Sequence, residues 1–106
     1  MQSQSQISEL LRSPFRANVE EVFSIPGATP NSIRGTVLVV KVFAGVLKSG
    51  GNVFVSSWPS LNLMVTAIER NKLLVDEAYI TERVGLMFKD VDLSTVQPGQ
   101  IVSALV

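Results

Sequence analysis

Two adjacent carboxylates, Glu20 and Glu21, are the residues of this sequence that most resemble an acid–base pair. They lie in the segment "FRANVEEVFSI", whose alternation predicts a β-strand with Glu21 and Phe23 on one side. Because successive side chains of a strand point to opposite faces, the two carboxylates are expected to be solvated and unable to share a site. Asp76 and Glu77 are interpreted as a charged bend. No acid, base or nucleophile constellation is visible, so the sequence does not predict an enzyme.

Other chemistries are limited by residue type. The chain of 106 residues contains no Cys and no His. A disulfide framework, thiolate or imidazole metal sites, and Cys-His or Ser-His-Asp catalysis are therefore excluded. The phosphate-binding pattern G-x-x-x-x-G-K-[ST] does not occur either. We therefore expect no metal, no cofactor and no nucleotide bound by this chain.

The charges are balanced, with nine Lys and Arg residues against nine Asp and Glu residues. A protein whose main affinity comes from neutralising phosphates needs clustered cations, so this balance argues against one but leaves a local RNA contact open. Six cations could form such a patch, although their spacing does not place them on one face: Arg34, Lys41, Arg70, Lys72, Arg83 and Lys89.

The sequence predicts that strands carry most of the acidic and basic side chains named above. Six or seven short apolar segments separated by Gly and Pro turns predict a small closed β-barrel or a sandwich. Residues 1–13 are expected to be a lead-in, partly disordered or forming a short helix, and residues 14–106 form one domain. Gly85, inside a strand, indicates a bulge or a bend at a barrel corner. No signal peptide or membrane-length apolar segment is visible, and a cytoplasmic location is expected.

The segment "VLVVKVF" is apolar on both faces, yet only one face can fill a narrow barrel. Its two alternating sets are Val37, Val39 and Phe43, and Leu38, Val40 and Val42. We choose a candidate interface on this strand and near the only tryptophan: Leu38, Val40, Val42 and Trp58. Through such an apolar face we expect a protein partner or self-association. Trp58, in the turn "SSWPS", is either a ring covering one barrel end or a base-stacking platform.

Three segments, taken in order, resemble a known family: "VEEVFSIPG", "RGTVLVVKVFAGVLKSGGNVFV" and "DEAYITERVGLMFKDVDLSTVQPGQIVS". They are similar to the second domain of translational GTPases, the β-barrel of elongation factor Tu and its relatives, from about residue 14 to residue 103. The resemblance implies a closed Greek-key β-barrel of about six strands. It implies a non-catalytic binding module that contacts the ribosome, tRNA or a neighbouring domain. The alternative is a free-standing protein-interaction barrel that has lost the translation role.

The resemblance also implies a pocket that holds the aminoacyl end of tRNA. Its retained acidic and aromatic positions are Glu20, Glu21 and Phe23, and its altered positions are Val39, Val40 and Arg83. Valines stand where the family has a threonine followed by a glycine, and the arginine stands where it has an asparagine. Lost hydrogen-bonding groups in a polar site typically cost about 1–3 kcal/mol each. We therefore expect no aminoacyl-tRNA capture in the manner of elongation factor Tu.

Overall fold

The computed structural model describes residues 13–27 and 33–104, and in these residues every regular element is a strand. The ten strands are β1 (Arg16–Pro26), β2 (Ile33–Ala44), β3 (Leu47–Lys48), β4 (Asn52–Val55), β5 (Trp58–Met64), β6 (Ala67–Arg70), β7 (Leu73–Val75), β8 (Glu77–Ala78), β9 (Arg83–Lys89) and β10 (Ile101–Ala104). The predicted all-β class is confirmed. Apart from Ser13, the predicted lead-in lies outside the described residues. No helix in the described part of the chain is long and apolar enough to cross a membrane.

Eight strands form one antiparallel sheet in the order β5-β4-β10-β1-β2-β9-β6-β7, and β3 pairs with β8 separately. The hydrogen-bonded ladder is open, with β5 and β7 at its edges, so the expectation of a closed ring needs correction. The reason lies between β5 and β6, where the chain exchanges partners. The Val65 N–H donates to the Gly51 carbonyl at 2.9 Å, whereas the Thr66 N–H donates to the Met87 carbonyl of β9 at 2.8 Å. The edge strand β5 thus continues directly into β6, which pairs with β9, and two consecutive stretches of one extended segment cannot pair with each other.

The inner face of the sheet holds the core, and β2 supplies its centre. Leu38 and Val40 lie opposite Leu86 and Val84 of β9 in the register, and all four side chains are buried. The inward set is Leu38, Val40 and Val42, and the outward set is Val37, Val39 and Phe43. The sequence-based interface of Leu38, Val40 and Val42 is therefore wrong, because these side chains pack inside the domain. For the same reason Val40 cannot line a surface pocket beside Val39.

Strand β1 changes phase in its middle. Ala17 and Val19 point into the core, and a register shift against β2 follows between Val19 and Glu21. This bulge adds Glu20 to the exposed side, so both glutamates reach the outer surface. Val22 then turns towards the core. The bulge leaves Phe23 on the outer face opposite Val37, with 53% of its surface exposed.

Candidate functional site

Residues of β1, β2, β6 and β9, with one residue of the turn after β6, line an open surface cavity of about 480 Å³, which we call the outer groove. Its lining residues are Phe23, Val37, Val39, Glu69, Asn71, Arg83, Val84 and Gly85. Regular pairing sets their positions, since Val39 lies opposite Gly85, and Gly85 lies opposite Glu69 on the next strand. Four strands from distant parts of the sequence therefore meet at this one surface.

Gly85 forms the floor of the outer groove. It pairs in register on both sides, with Val39 and with Glu69, so the predicted bulge at this position is wrong. A Cβ atom added here would lie 3.2 Å from Cγ1 of Val37, inside the groove. The missing side chain thus leaves open space at the floor of the groove.

At one end of the groove, Arg83 is held by two carboxylates. Its Nε donates to Oε1 of Glu20 at 2.6 Å, and its Nη2 donates to Oε2 of Glu21 at 2.9 Å. The expectation that the two glutamates occupy opposite faces is therefore wrong, and the bulge after Val19 is the physical cause. The hydrogen bond to Glu20 raises the pKa of Arg83, which stays charged. The two carboxylates together outweigh the single positive charge of the guanidinium.

Glu69 differs from these two glutamates. Its side chain is half-buried in the groove lining, and its carboxylate has no hydrogen bond or ion pair within residues 13–27 and 33–104. Asn71 next to it lies in the turn between β6 and β7 with a φ of 53°, a left-handed conformation that asparagine tolerates better than most residues. The uncompensated charge of the groove is therefore negative. It faces the apolar side chains of Val37 and Val39.

The sequence-derived site residues separate into two groups. Phe23, Val39 and Arg83 line the groove, and Glu20 and Glu21 reach it through their ion pairs. The second group does not reach the groove: Val40 is in the core, and Trp58 begins β5 opposite Val55. The turn is at residues 56–57, and Trp58 is 37% exposed at one edge of the sheet.

Glu69 and Asn71 were missed by the sequence analysis. Glu69 lies on β6 and Asn71 follows it directly. Strand β6 pairs with β9, whose first residue lies more than ten positions further along, and nothing in the local pattern indicates this partner. The only signal was the alternation in "TAIERN", which places Glu69 on the face opposite to the buried Ile68.

The six cations considered for a basic patch do not gather on one surface. Arg70 is paired with Glu82, and the ammonium of Lys41 donates to the Thr81 carbonyl at 2.5 Å. Arg34 and Lys89 line a smaller apolar slot of about 210 Å³ with Thr66 and Met87. Within the described ranges, no group of three or more acidic side chains is arranged to hold a metal ion.

The chain is similar in sequence and structure to one domain of known translation elongation factors. Residues 35–103 match the family model described as elongation factor Tu domain 2. Translation elongation factor SelB from Methanococcus maripaludis, in complex with the GTP analogue GppNHp, is 26% identical with a TM-score of 0.74, and the match covers 90% of this chain. Its apo form gives a TM-score of 0.75. The bacterial selenocysteine-specific elongation factor EF-Sec is 27% identical over 93% of this chain, also with a TM-score of 0.75.

These matches cover most of this chain but only a small part of each matched protein. The chain spans 20% of the length of SelB and 16% of the length of EF-Sec. Within the chain, the family match includes β2, β6 and β9 of the groove. It begins after β1, which carries Glu20, Glu21 and Phe23. The roles that the resemblance implies for these three residues therefore remain predictions.

Proposed function

The chain belongs to the elongation factor Tu domain 2 family, and from this we propose that it is a non-catalytic binding module of a translation elongation factor. It works by contacting the ribosome, tRNA or a neighbouring domain. The solved structures that it resembles are translation factors of which it matches about one fifth. GTP binding and hydrolysis belong to other parts of such factors, and a cytoplasmic location is part of the same proposal.

The outer groove is the observation that carries this proposal. Binding sites combine apolar walls with a few placed polar groups, and the groove has both. Phe23 is 53% exposed, which is high for an aromatic side chain on a sheet face, and Val37 and Val39 extend the apolar surface beside it. Glu69 and Asn71 supply polar groups at the opposite wall. Such an arrangement supports recognition and offers no activated nucleophile.

Within this proposal, capture of the aminoacyl end of tRNA is not the expected contact. Val39 presents no hydroxyl, and Arg83 is occupied by Glu20 and Glu21. We expect an isolated affinity for aminoacyl-tRNA weaker than roughly 10⁻⁵ M at physiological salt, which is near the non-specific range. We also expect no micromolar binding of GTP or GDP, which calorimetry on the purified chain would measure.

The proposal is tested by binding to three purified probes. These are the small ribosomal subunit, aminoacyl-tRNA, and the GTPase domain of SelB from Methanococcus maripaludis. At least one should bind, and Phe23→Ala should weaken that binding by roughly fivefold, as for loss of an aromatic contact worth about 1 kcal/mol. Leu61→Ala is the matched control, because Leu61 is 42% exposed on β5, away from the groove. If none of the three probes binds the folded chain, the translation role is refuted.

A protein-interaction barrel without a translation role is the second candidate, and the edge strand β7 favours it. Leu73 and Leu74 are 69% and 72% exposed, and β7 pairs with β6 only. Unpaired strand edges with apolar side chains are templates for association with another chain. On this alternative, sedimentation velocity should detect self-association that the double variant Leu73→Ser/Leu74→Ser abolishes. A wild type that stays monomeric at high concentration would count against self-association.

A further inference from the structure

We propose that the outer groove binds a basic side chain, of Arg or Lys, that a protein partner presents beside an apolar residue. This inference rests on the proposed binding function and specifies the partner at this site. It assigns the ligand to a polypeptide segment and not to nucleic acid.

The charges of the groove are the first argument. Arg83 is engaged by Glu20 and Glu21 at 2.6 and 2.9 Å, so its positive charge is compensated inside the protein. Glu69 is half-buried and has no compensating cation within the described residues. Lys41 lies opposite Arg83 in the register, and its ammonium donates to the Thr81 carbonyl. The charge left for a ligand is therefore the carboxylate of Glu69.

The shape and polarity of the groove are the second argument. Arg and Lys carry a long apolar stem below their charge, and such stems pack along apolar surfaces. Val37, Val39 and the bare backbone of Gly85 provide that surface, and Glu69 lies beyond it on the neighbouring strand. Phe23 lies at the other wall, on β1, which β2 and β9 separate from Glu69 on β6, and its exposed ring offers packing surface to the apolar residue that accompanies the basic side chain. A carboxylate also accepts two parallel hydrogen bonds from a guanidinium, which favours Arg over Lys.

The same features disfavour nucleic acid at this site. A phosphate approaching Arg83 would meet the carboxylates of Glu20 and Glu21, which already compensate the guanidinium charge and repel a second anion. It would also approach the carboxylate of Glu69, and like charges repel more strongly where water is partly excluded. A polypeptide with a basic side chain meets neither obstacle.

Backbone NMR of the full chain tests the inference with three defined probes: acetyl-Leu-Arg-Leu-amide, its matched counterpart acetyl-Leu-Glu-Leu-amide, and a short single-stranded RNA. The Arg peptide should shift the amide signals of Val39, Asn71 and Gly85, and this effect should weaken as salt is added. The Glu peptide and the RNA should leave these signals unchanged. Shifts produced there by the RNA, or equally by both peptides, would overturn the inference, as would no shifts with the Arg peptide.

Two charge-matched variants complete the test. Glu69→Gln should weaken binding of the Arg peptide by roughly fivefold, because a charge-assisted hydrogen bond becomes a neutral one. Asp90→Asn removes the same charge at the end of β9 far from Arg83, on an exposed turn residue whose φ of 59° suits asparagine, and should leave binding unchanged. Equal losses in both variants would mean that only net charge matters, which contradicts a site at Glu69. Phe23→Ala gives an independent check that does not alter charge.

The outcomes also separate this inference from the proposed function. A chain that binds the Arg peptide in the groove but binds no ribosomal subunit, tRNA or GTPase domain refutes the translation role and leaves the groove assignment standing. A chain that binds one of those probes but not the Arg peptide refutes the groove assignment alone.

Discussion

The two faces of β2 carry similar side chains and behave differently. The inner set, Leu38, Val40 and Val42, is at most 1% exposed, whereas the outer set contains half-buried Val37 and Val39 and the 40% exposed Phe43. The difference comes from what lies opposite each set. The inner set meets the closed interior of the curled sheet, and the outer set meets an open groove. Apolar composition thus identifies a strand, but it does not identify the face that stabilises the domain.

The largest effect on stability is expected when a charge is placed on each face of β2 in turn. Val40→Lys should destabilise the domain by at least about 4 kcal/mol or prevent folding, because an unpaired buried ammonium costs several kcal/mol. Val39→Lys should fold, because a lysine on the outer face can extend its ammonium to water. Circular dichroism with urea unfolding measures both. Similar urea midpoints for the two variants would abolish the distinction between the faces.

A second test compares two glycines along the outer face. A Cβ atom at Gly35 would lie 2.4 Å from the Phe88 carbonyl oxygen, and this backbone atom can move only if β2 and β9 separate. Gly35→Ala should therefore cost about 3 kcal/mol, at the upper end of overpacking. A Cβ atom at Gly85 comes closest to the Val37 side chain, at 3.2 Å, and meets Glu69 only at ordinary contact distance, so we expect Gly85→Ala to stay within about 1 kcal/mol of wild type. Thermal unfolding of the two variants measures both losses. A similar loss in the two variants would mean that the outer face has no more room for a side chain at Gly85 than at Gly35.

A third test compares a buried hydroxyl with an exposed one. Oγ1 of Thr36, which is fully buried, donates to the Val91 carbonyl at 2.7 Å and accepts from the Leu93 N–H at 3.0 Å. Thr36→Val leaves both backbone groups without this partner and should cost about 2 kcal/mol. Thr66 is exposed and donates to the Met87 carbonyl at 2.9 Å, so Thr66→Val should cost less than about 1 kcal/mol. Urea unfolding measures the free energy of unfolding of both variants. Equal losses would show that burial does not determine how much each hydroxyl contributes to stability.

The smallest expected effect on stability lies at the ion pairs of the groove. Arg83→Gln removes contacts among side chains that are 40–55% exposed, and such surface pairs contribute at most about 1 kcal/mol. The loss should be greater at low salt, where the remaining repulsion between Glu20 and Glu21 is less screened. Melting temperatures at two salt concentrations measure this, with Arg16→Gln on β1 as the control. A loss independent of salt would indicate packing as the cause.

Part of the candidate site was accessible to sequence reasoning. Phe23, Val39 and Arg83 were identified through their places in the family motifs, and all three line the groove. Glu69 and Asn71 were not identified, because their contribution depends on the pairing of β6 with β9, which are far apart in sequence. The relation between Glu20 and Glu21 was predicted wrongly, since one inserted residue in β1 changes the direction of every side chain that follows.

The sequence by itself determined the class of the protein. Alternating apolar residues between Gly and Pro turns specify strands through local geometry, the order of its motifs identifies the family, and the absence of Cys and His excludes whole groups of chemistry. Only the tertiary structure decided which face of β2 is buried, that both glutamates meet Arg83, and that Glu69 lies uncompensated in the same groove as the exposed ring of Phe23. The physical reason is register. Side chains of a strand alternate with a period of two, so the face that each one occupies depends on bulges and on distant pairing partners.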